Sequence, residues 1–350
     1  SILNYIIHPF YFMKPNDNML LVPGTDTGST GIYQLKRLWS KAIAGPDIVN
    51  QYPEETGLDN ALIDILGLGL LPTFQYLYWQ KPDFESFENW VITQAGGHIT
   101  ENTIQQCNAL FQNKTTHHQN INDDVLTPGD IAFWEKHGYV IIKNAVTPQD
   151  CAASRKAIMD YLEMDEADET TWYKKSGFMQ GIMVPLYRNA AVDKNRNSPV
   201  IKRAFEQLWN RTDLIVTTDK CGFNPPETDS FKYRGIGLHW DVSLATPIPF
   251  GTQGILYLTD TAANQGALRV VPGFHNKIES WLKELPANVN PREVDISVFN
   301  PIPIAANAGD FIIWNHKLPH DSSPNKANLP RIVQYLNWYA PLADVQEEWR

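Results

Sequence analysis

His239 and Asp241 stand two residues apart in GIGLHWDVSL (235–244), with Trp240 between them. On a strand, residues i and i+2 point to the same face, so an imidazole and a carboxylate converge while Trp240 turns away. Such a pair can hold a divalent metal. With nine histidines in the chain, however, a chance HxD is expected in about a third of such sequences. Alone, the pair is equally an ordinary strand end.

Candidates for a third ligand lie downstream, in GDFIIWNHKLPH (309–320), as His316 and His320. Two histidines and one carboxylate on a small β scaffold form the facial triad of non-haem Fe(II) oxygenases, which leaves three positions free. A bidentate co-substrate can take two of them and dioxygen the third. Arg331 then opens a strand-like run, and its planar guanidinium suits a carboxylate. Ser322 lies two residues past His320 and offers a hydroxyl. Spacing within the stretch leaves His316 and His320 both open.

From about Leu126 to Ala340 the sequence resembles the phytanoyl-CoA dioxygenase family of Fe(II)/2-oxoglutarate-dependent oxygenases. The residues that carry this are FWEKHGYVIIKNAVTPQDC (133–151), LHWD (238–241), NQGALRVVPGFH (264–275), GDFIIWNHKLPH (309–320), Ser322 and Arg331. The resemblance implies a mainly β core with helices, a double-stranded β-helix of the jelly-roll or cupin-like type. It implies Fe(II) on HxD…H and 2-oxoglutarate clasped by an arginine eleven residues past the distal histidine. His320 to Arg331 has that spacing and His316 does not. The implied catalytic metal ligands are therefore His239, Asp241 and His320, with His316 a cleft or structural residue. Arg331 and Ser322 would hold the co-substrate. Tyr257 resembles an aromatic that donates to or packs on it, and Gln180, in GFMQGIM, a polar residue facing it; each is equally readable as ordinary packing. His275 sits in PGFH, where the family more usually has PGSH, and reads as structural. The family's halogenating members replace the metal-binding acid with Gly or Ala, so Asp241 favours hydroxylation. The implied activity is oxidation of an unactivated C–H bond with Fe(II), 2-oxoglutarate and O2, releasing succinate and CO2.

Elements must position these groups. Residues 1–111 read as helical: YQLKRLWSKAIAG places Leu35, Leu38, Trp39 and Ile43 on one face. LDNALIDILGLGLL and FESFENWVITQAGG follow, the latter with Asp83 as N-cap. Residues 112–126 are polar and aperiodic, a linker whose His117 and His118 read as solvated. Residues 127–350 form the oxygenase domain. Helices are expected after Thr127, after Thr147 with Pro148 in its first turn, over SPVIKRAFEQLWNR, and around KIESWLKELP. Short strands are expected at Tyr139–Lys143 and in DLIVTTD, GIGLHWD, QGILYLTD, ALRVVPG, FNPIPIA, GDFIIWNH and RIVQYLNWYA. KCGFNPPETDSFKYRG reads as a loop over the site mouth. Candidate substrate residues are Trp240, Arg234, Arg188, Asn224 and Arg269. Arg188 and Arg234 are equally readable as surface or salt-bridge arginines.

The bulk properties limit the partners. Hydrophobic content of 43% with 11 tryptophans fits a folded globular protein. A net charge of −10 argues against nucleic acid. No apolar run reaches the length of a membrane span. Three scattered cysteines, Cys107, Cys151 and Cys221, suit a reducing, cytoplasmic setting. The expected partner is a small-molecule substrate, and the expected state a monomer or homodimer. Two other readings fit a metal-bearing barrel: a cupin-like isomerase or hydrolase without 2-oxoglutarate, and a non-catalytic binding protein.

Overall fold

The structure is a computed structural model that describes residues 21–114, 124–174, 179, 181–342, 346 and 348–350. Gln180, His117 and His118 lie outside the described residues. The chain divides into two compact units. One takes the described residues up to 120 with Arg211–Thr218 and the described part of 339–348; the other takes the rest. A single boundary near residue 126 misses the two later stretches that return to the first unit.

The first unit is built on the helices Leu35–Ala44, Thr56–Ile65, Leu70–Gln80, Phe84–Gln94 and Glu101–Phe111. The run read as one helix from residue 58 to 71 is two, because Gly67 and Gly69 take φ of 66° and 74° between them, a conformation side chains resist. Asp83 caps its helix, accepting from the Ser86 amide at 2.8 Å. Leu35, Leu38, Leu62, Phe74, Leu77 and Phe87 fill the core. Lys41 is buried beside them and ion-paired to Glu55 at 2.6 Å and to Asp59. A buried ammonium is tolerable only with such partners. Among the described residues no single helix is long and apolar enough to cross a membrane.

The second unit carries the β structure. Its strands are β1 (Tyr139–Ile142), β2 (Met183–Val184), β4 (Cys221–Asn224), β5 (Thr252–Tyr257), β6 (Leu268–Val270), β7 (Ile302–Pro303), β8 (Phe311–Asn315), β9 (His320–Ser322) and β10 (Arg331–Tyr335). β3 (Ile215–Val216) belongs to the first unit, and β11 (Trp338–Tyr339) marks the chain's passage into it. One sheet runs β1-β8-β5-β10-β4-β2, the other β7-β6-β9, and every pairing within them is antiparallel. Ile255 and Tyr257, Ile312 and Trp314, and Val333 come from the larger sheet. They share one core with Leu268 and Val270 of the smaller. Two facing antiparallel sheets closed over a common core are a double-stranded β-helix.

Local sequence explains the supporting helices. Pro128–His137 has a capping box between Thr127 and Asp130, and Pro148–Leu162 and Pro199–Trp209 start on Thr147 and Ser198 with proline in the first turn. Two expectations fail. GIGLHWD is not a strand: Gly237 has φ of 74°, outside the extended region, and only His239 makes a ladder pair. KCGFN is not loop: β4 is buried throughout and pairs with both β10 and β2, so only the residues after it remain free to cover anything.

Candidate active site

A two-bond bridge assembles a cluster that could hold a metal. The His239 amide donates to the His320 carbonyl at 3.1 Å, and the His320 amide to the His239 carbonyl at 3.0 Å. The ligating atoms of His239, Asp241 and His320 all lie within 4.8 Å of one another. His320 Nε2 is 3.2 Å from Asp241 Oδ2, and His239 Nε2 is 3.5 Å from Oδ1. Each histidine's Nδ1 faces a carbonyl, Gly237 at 2.8 Å and Leu318 at 3.3 Å. A carbonyl only accepts, so each Nδ1 carries a hydrogen, and a metal bound at Nε2 would displace the proton that Nε2 otherwise shares with Asp241. Asp241 is 40% exposed, which leaves the centre open on that side.

The electrostatics suit a cation. Burial pushes the Asp241 carboxyl up, but the two imidazoles overcome this and hold it well below the usual carboxylate range. Burial pulls the His239 imidazole down; Asp241 and the Gly237 carbonyl outweigh this and raise it. Two nitrogens and one ionised oxygen on one open point form a donor set fit for Fe(II). Around it stands a relay that the motifs do not reveal. Gln253 Nε2 donates to Asp241 Oδ2 at 2.7 Å, and Trp314 Nε1 donates to Gln253 Oε1 at 3.0 Å. Gln253 and Trp314 face each other across β5 and β8, and the Trp314 ring also lies 5.2 Å from that of His320.

Arg331 is the other half of the site. It is fully buried at the start of β10. Nη1 donates to Ser322 Oγ at 3.1 Å and Nη2 to the Tyr335 hydroxyl at 3.5 Å, while Nε has no partner. Tyr233 also interacts with Ser322 and Arg331. Among the described residues no acid pairs with Arg331. A buried guanidinium without a counter-charge is unfavourable by several kcal/mol or more, on the order of the cost of desolvating one ion. An anionic ligand would remove that cost. His320 and Ser322 are two apart on β9 and so share a face. Ser322, and Arg331 through it, thus stand on the face of β9 that carries His320, and the residues fit a co-substrate that chelates metal at one end and carries a carboxylate at the other.

The remaining candidates divide. Asn224 is fully buried opposite Arg331 in the β4–β10 ladder, its Oδ1 unpartnered. Tyr257 lies in the core, but its hydroxyl donates to the Ile304 carbonyl at 2.9 Å and accepts from the Leu268 amide at 3.0 Å; it joins the sheets and is not a free donor. Trp240 is not a cleft residue: it is 3% exposed, its indole donates to the Lys317 carbonyl at 2.9 Å, and its ring packs on Phe274 and Trp281. Arg269 is bound across the β6–β9 ladder to Asp321, with Nε at 2.8 Å from Oδ1. Arg188 is ion-paired to Asp193 at 3.0 Å, just ahead of the helix Ala190–Arg196. Arg234 is exposed in the segment before the HxD. His316 donates from Nε2 to the Pro249 carbonyl at 2.8 Å, outside the triad. The His275 ring packs so closely on Gly138 that a Cβ there would lie 2.5 Å from it.

Comparison with known proteins identifies the family. The family model of the phytanoyl-CoA dioxygenases matches residues 134–333, from the helix ahead of β1 into β10. A putative phytanoyl-CoA dioxygenase of Dictyostelium discoideum is 24% identical over 255 residues, covering 58% of this chain and 73% of that protein. Among solved structures, AviO1 of Streptomyces viridochromogenes Tue57 is similar at 16% identity and a TM-score of 0.45, covering 64% of this chain and 99% of that one. EctD of S. alaskensis, solved with bound Fe, is similar at 17% identity and a TM-score of 0.46, covering 66% and 83%. The family match takes in more than half of the chain and every ligand of the triad, and the chain belongs to the phytanoyl-CoA dioxygenase family of non-haem iron, 2-oxoglutarate-dependent oxygenases.

Proposed function

We propose that this oxygenase hydroxylates an unactivated C–H bond of a small metabolite in a reducing, cytoplasmic compartment. The observation that carries the reading is Arg331, a buried cation that pairs with no acid among the described residues and donates to Ser322, two residues along β9 from His320. His239, Asp241 and His320 would hold Fe(II) through Nε2, a carboxylate oxygen and Nε2. Arg331 and Ser322 would bind the distal carboxylate of 2-oxoglutarate and so orient its keto-acid end toward the metal. Iron with 2-oxoglutarate and dioxygen supplies the oxidising power, with release of succinate and CO2. The protein's part is geometry and water exclusion: Tyr257, Val333 and Trp314 form a dry wall, and the open side at Asp241 leaves room for a substrate. The carboxylate at position 241, where a chloride-transferring site needs space, supports hydroxylation.

Anaerobic addition of Fe(II) and 2-oxoglutarate should give a weak visible charge-transfer band, lost in Asp241→Ala and Arg331→Ala. Succinate release over a panel of amino acids, acyl thioesters and small acids then sorts substrates. An iron-binding protein that never develops the band would exclude 2-oxoglutarate and point to cupin-like chemistry or mere binding.

A further inference from the structure

Asp241 lies in a segment with almost no ladder to hold it. Only His239 pairs with β9; the chain from Trp240 to Leu244 belongs to no strand. A metal ligand on irregular backbone needs another support. The structure supplies one from far along the chain. Arg292 Nη1 donates to the Trp240 carbonyl at 2.8 Å, and Nη2 to the Val242 carbonyl at 2.6 Å. One guanidinium therefore grips the carbonyls on both sides of Asp241.

Arg292 is itself fixed. It lies in the short 3-10 turn Pro291–Glu293, where the Asn290 side chain accepts from the Arg292 amide at 3.1 Å and donates to Glu293 at 2.9 Å. Its Nε and Nη2 reach the Arg350 carbonyl at 3.1 and 3.0 Å, and its guanidinium lies 4.8 Å from the centre of the Trp349 ring. Arg350 is tied to the same segment: its carbonyl accepts from the Leu244 amide at 3.0 Å, and its amide donates to Ser243 Oγ at 3.0 Å. The residues just after Asp241 are thus laced to Trp349–Arg350 through Arg292.

We propose that Arg292 is a positioning residue for the metal-binding carboxylate, and that Trp349–Arg350 is part of the same device. The fork shape matters. Two donors in one rigid plane can span two carbonyls, whereas a lysine ammonium is a single point on a flexible stem. The inference rests on the reading of His239, Asp241 and His320 as a metal site.

The test uses the full chain and Co(II) as an anaerobic, redox-silent probe, titrated by its visible ligand-field absorption. Arg292→Ala should weaken Co(II) binding by about 10- to 100-fold, the usual loss when an outer support of a metal ligand is removed, and should alter the band shape. Arg292→Lys should stay close to Arg292→Ala, and Trp349→Ala should give a smaller loss in the same direction. Phe205→Leu is the stability control: Phe205 is buried against Phe311, on the face of β8 opposite Trp314, and at a comparable drop in Tm it should bind Co(II) as the wild type does. Wild-type protein that fails to bind Co(II) would overturn the metal site itself. Wild-type binding with Arg292→Ala within twofold of it would overturn the positioning role alone. Full recovery in Arg292→Lys would show that charge matters and not the fork, and unchanged binding in Trp349→Ala would remove Trp349 from the device.

Discussion

Arg331 and Asp241 carry opposite charges into the same site on different terms. Asp241 has two imidazoles and Gln253 for company; Arg331 has hydroxyls and an unpartnered Nε. Arg331 is therefore a stored cost that an anionic ligand would relieve. Arg331→Met, close in volume and uncharged, should leave the ligand-free protein as stable as the wild type or more so, by about 1–2 kcal/mol, since replacing a poorly paired buried charge with an apolar chain is often stabilising. The same variant should lose the rise in Tm that 2-oxoglutarate gives the wild type. Urea unfolding without ligand and thermal shifts with it check the two halves; a clear loss of ligand-free stability would contradict the account. At this scale the sequence was most legible in which residues meet: His239, Asp241 and His320 converge on one point, and Arg331 reaches Ser322. Gln253 and Arg292 were not legible, because a side chain that supports a ligand through a carboxylate or a carbonyl answers to no fixed spacing. The same holds in reverse for Arg269 and Arg188, whose acid partners Asp321 and Asp193 show only once the ladder and the helix are in place.

The elements show where periodicity informs and where it misleads. β5, β8 and β10 are runs of Ile, Val, Leu and Tyr bounded by turn residues, and they form as expected. β4, CGFN, is too short and too rich in small and polar residues to announce itself, and it is a strand because β10 and β2 flank it. GIGLHWD alternates well enough but contains a glycine in a left-handed conformation. His316, at the turn between β8 and β9, shows how such joints are fixed. A Cβ on Gly251 would lie 2.2 Å from its ring, so Gly251→Ala should cost about 1–3 kcal/mol through overpacking. Burial outweighs the hydrogen bond to Pro249 and holds the His316 pKa down at about 4. Its unfolded value is near 6.5, so between those values the unfolded chain binds a proton that the folded chain does not. Stability is therefore fully present above about pH 6.5 and falls toward pH 4, by about 2–3 kcal/mol in all from this group. In His316→Gln that slope should be gone. Urea midpoints for both proteins at pH 4.5, 5.5 and 7 check it, and parallel curves would rule it out.

At the scale of the molecule, the helical first segment and the β-rich second were legible from the change in periodicity near residue 126. The return of 211–218 and the described part of 339–348 to the first unit was not, since nothing in a short run of residues says which core it will join. The cysteines offer a reporter for both units. Cys107 belongs to the first, Cys151 and Cys221 to the second, and all three are free and buried. Burial raises their pKa values to about 12, 11 and 12, so the reactive thiolate is scarce and modification must wait for the fold to open. On the proposed reading, metal and co-substrate bind the folded second unit, which holds the triad and Arg331. Where opening is a pre-equilibrium, ligand at 100 times its Kd lowers the open population about 100-fold, or about 2.7 kcal/mol. Alkylation at low urea, followed residue by residue by mass spectrometry, should therefore slow at Cys151 and Cys221 by a common factor of that size when Co(II) and 2-oxoglutarate are added. Cys221 is the sharper of the two, because β4 lies against the strand that carries Arg331. If its rate is unmoved by saturating ligand while the Co(II) ligand-field bands show the site filled, the strand opens without disturbing the clasp, and the second unit does not unfold as one cooperative block.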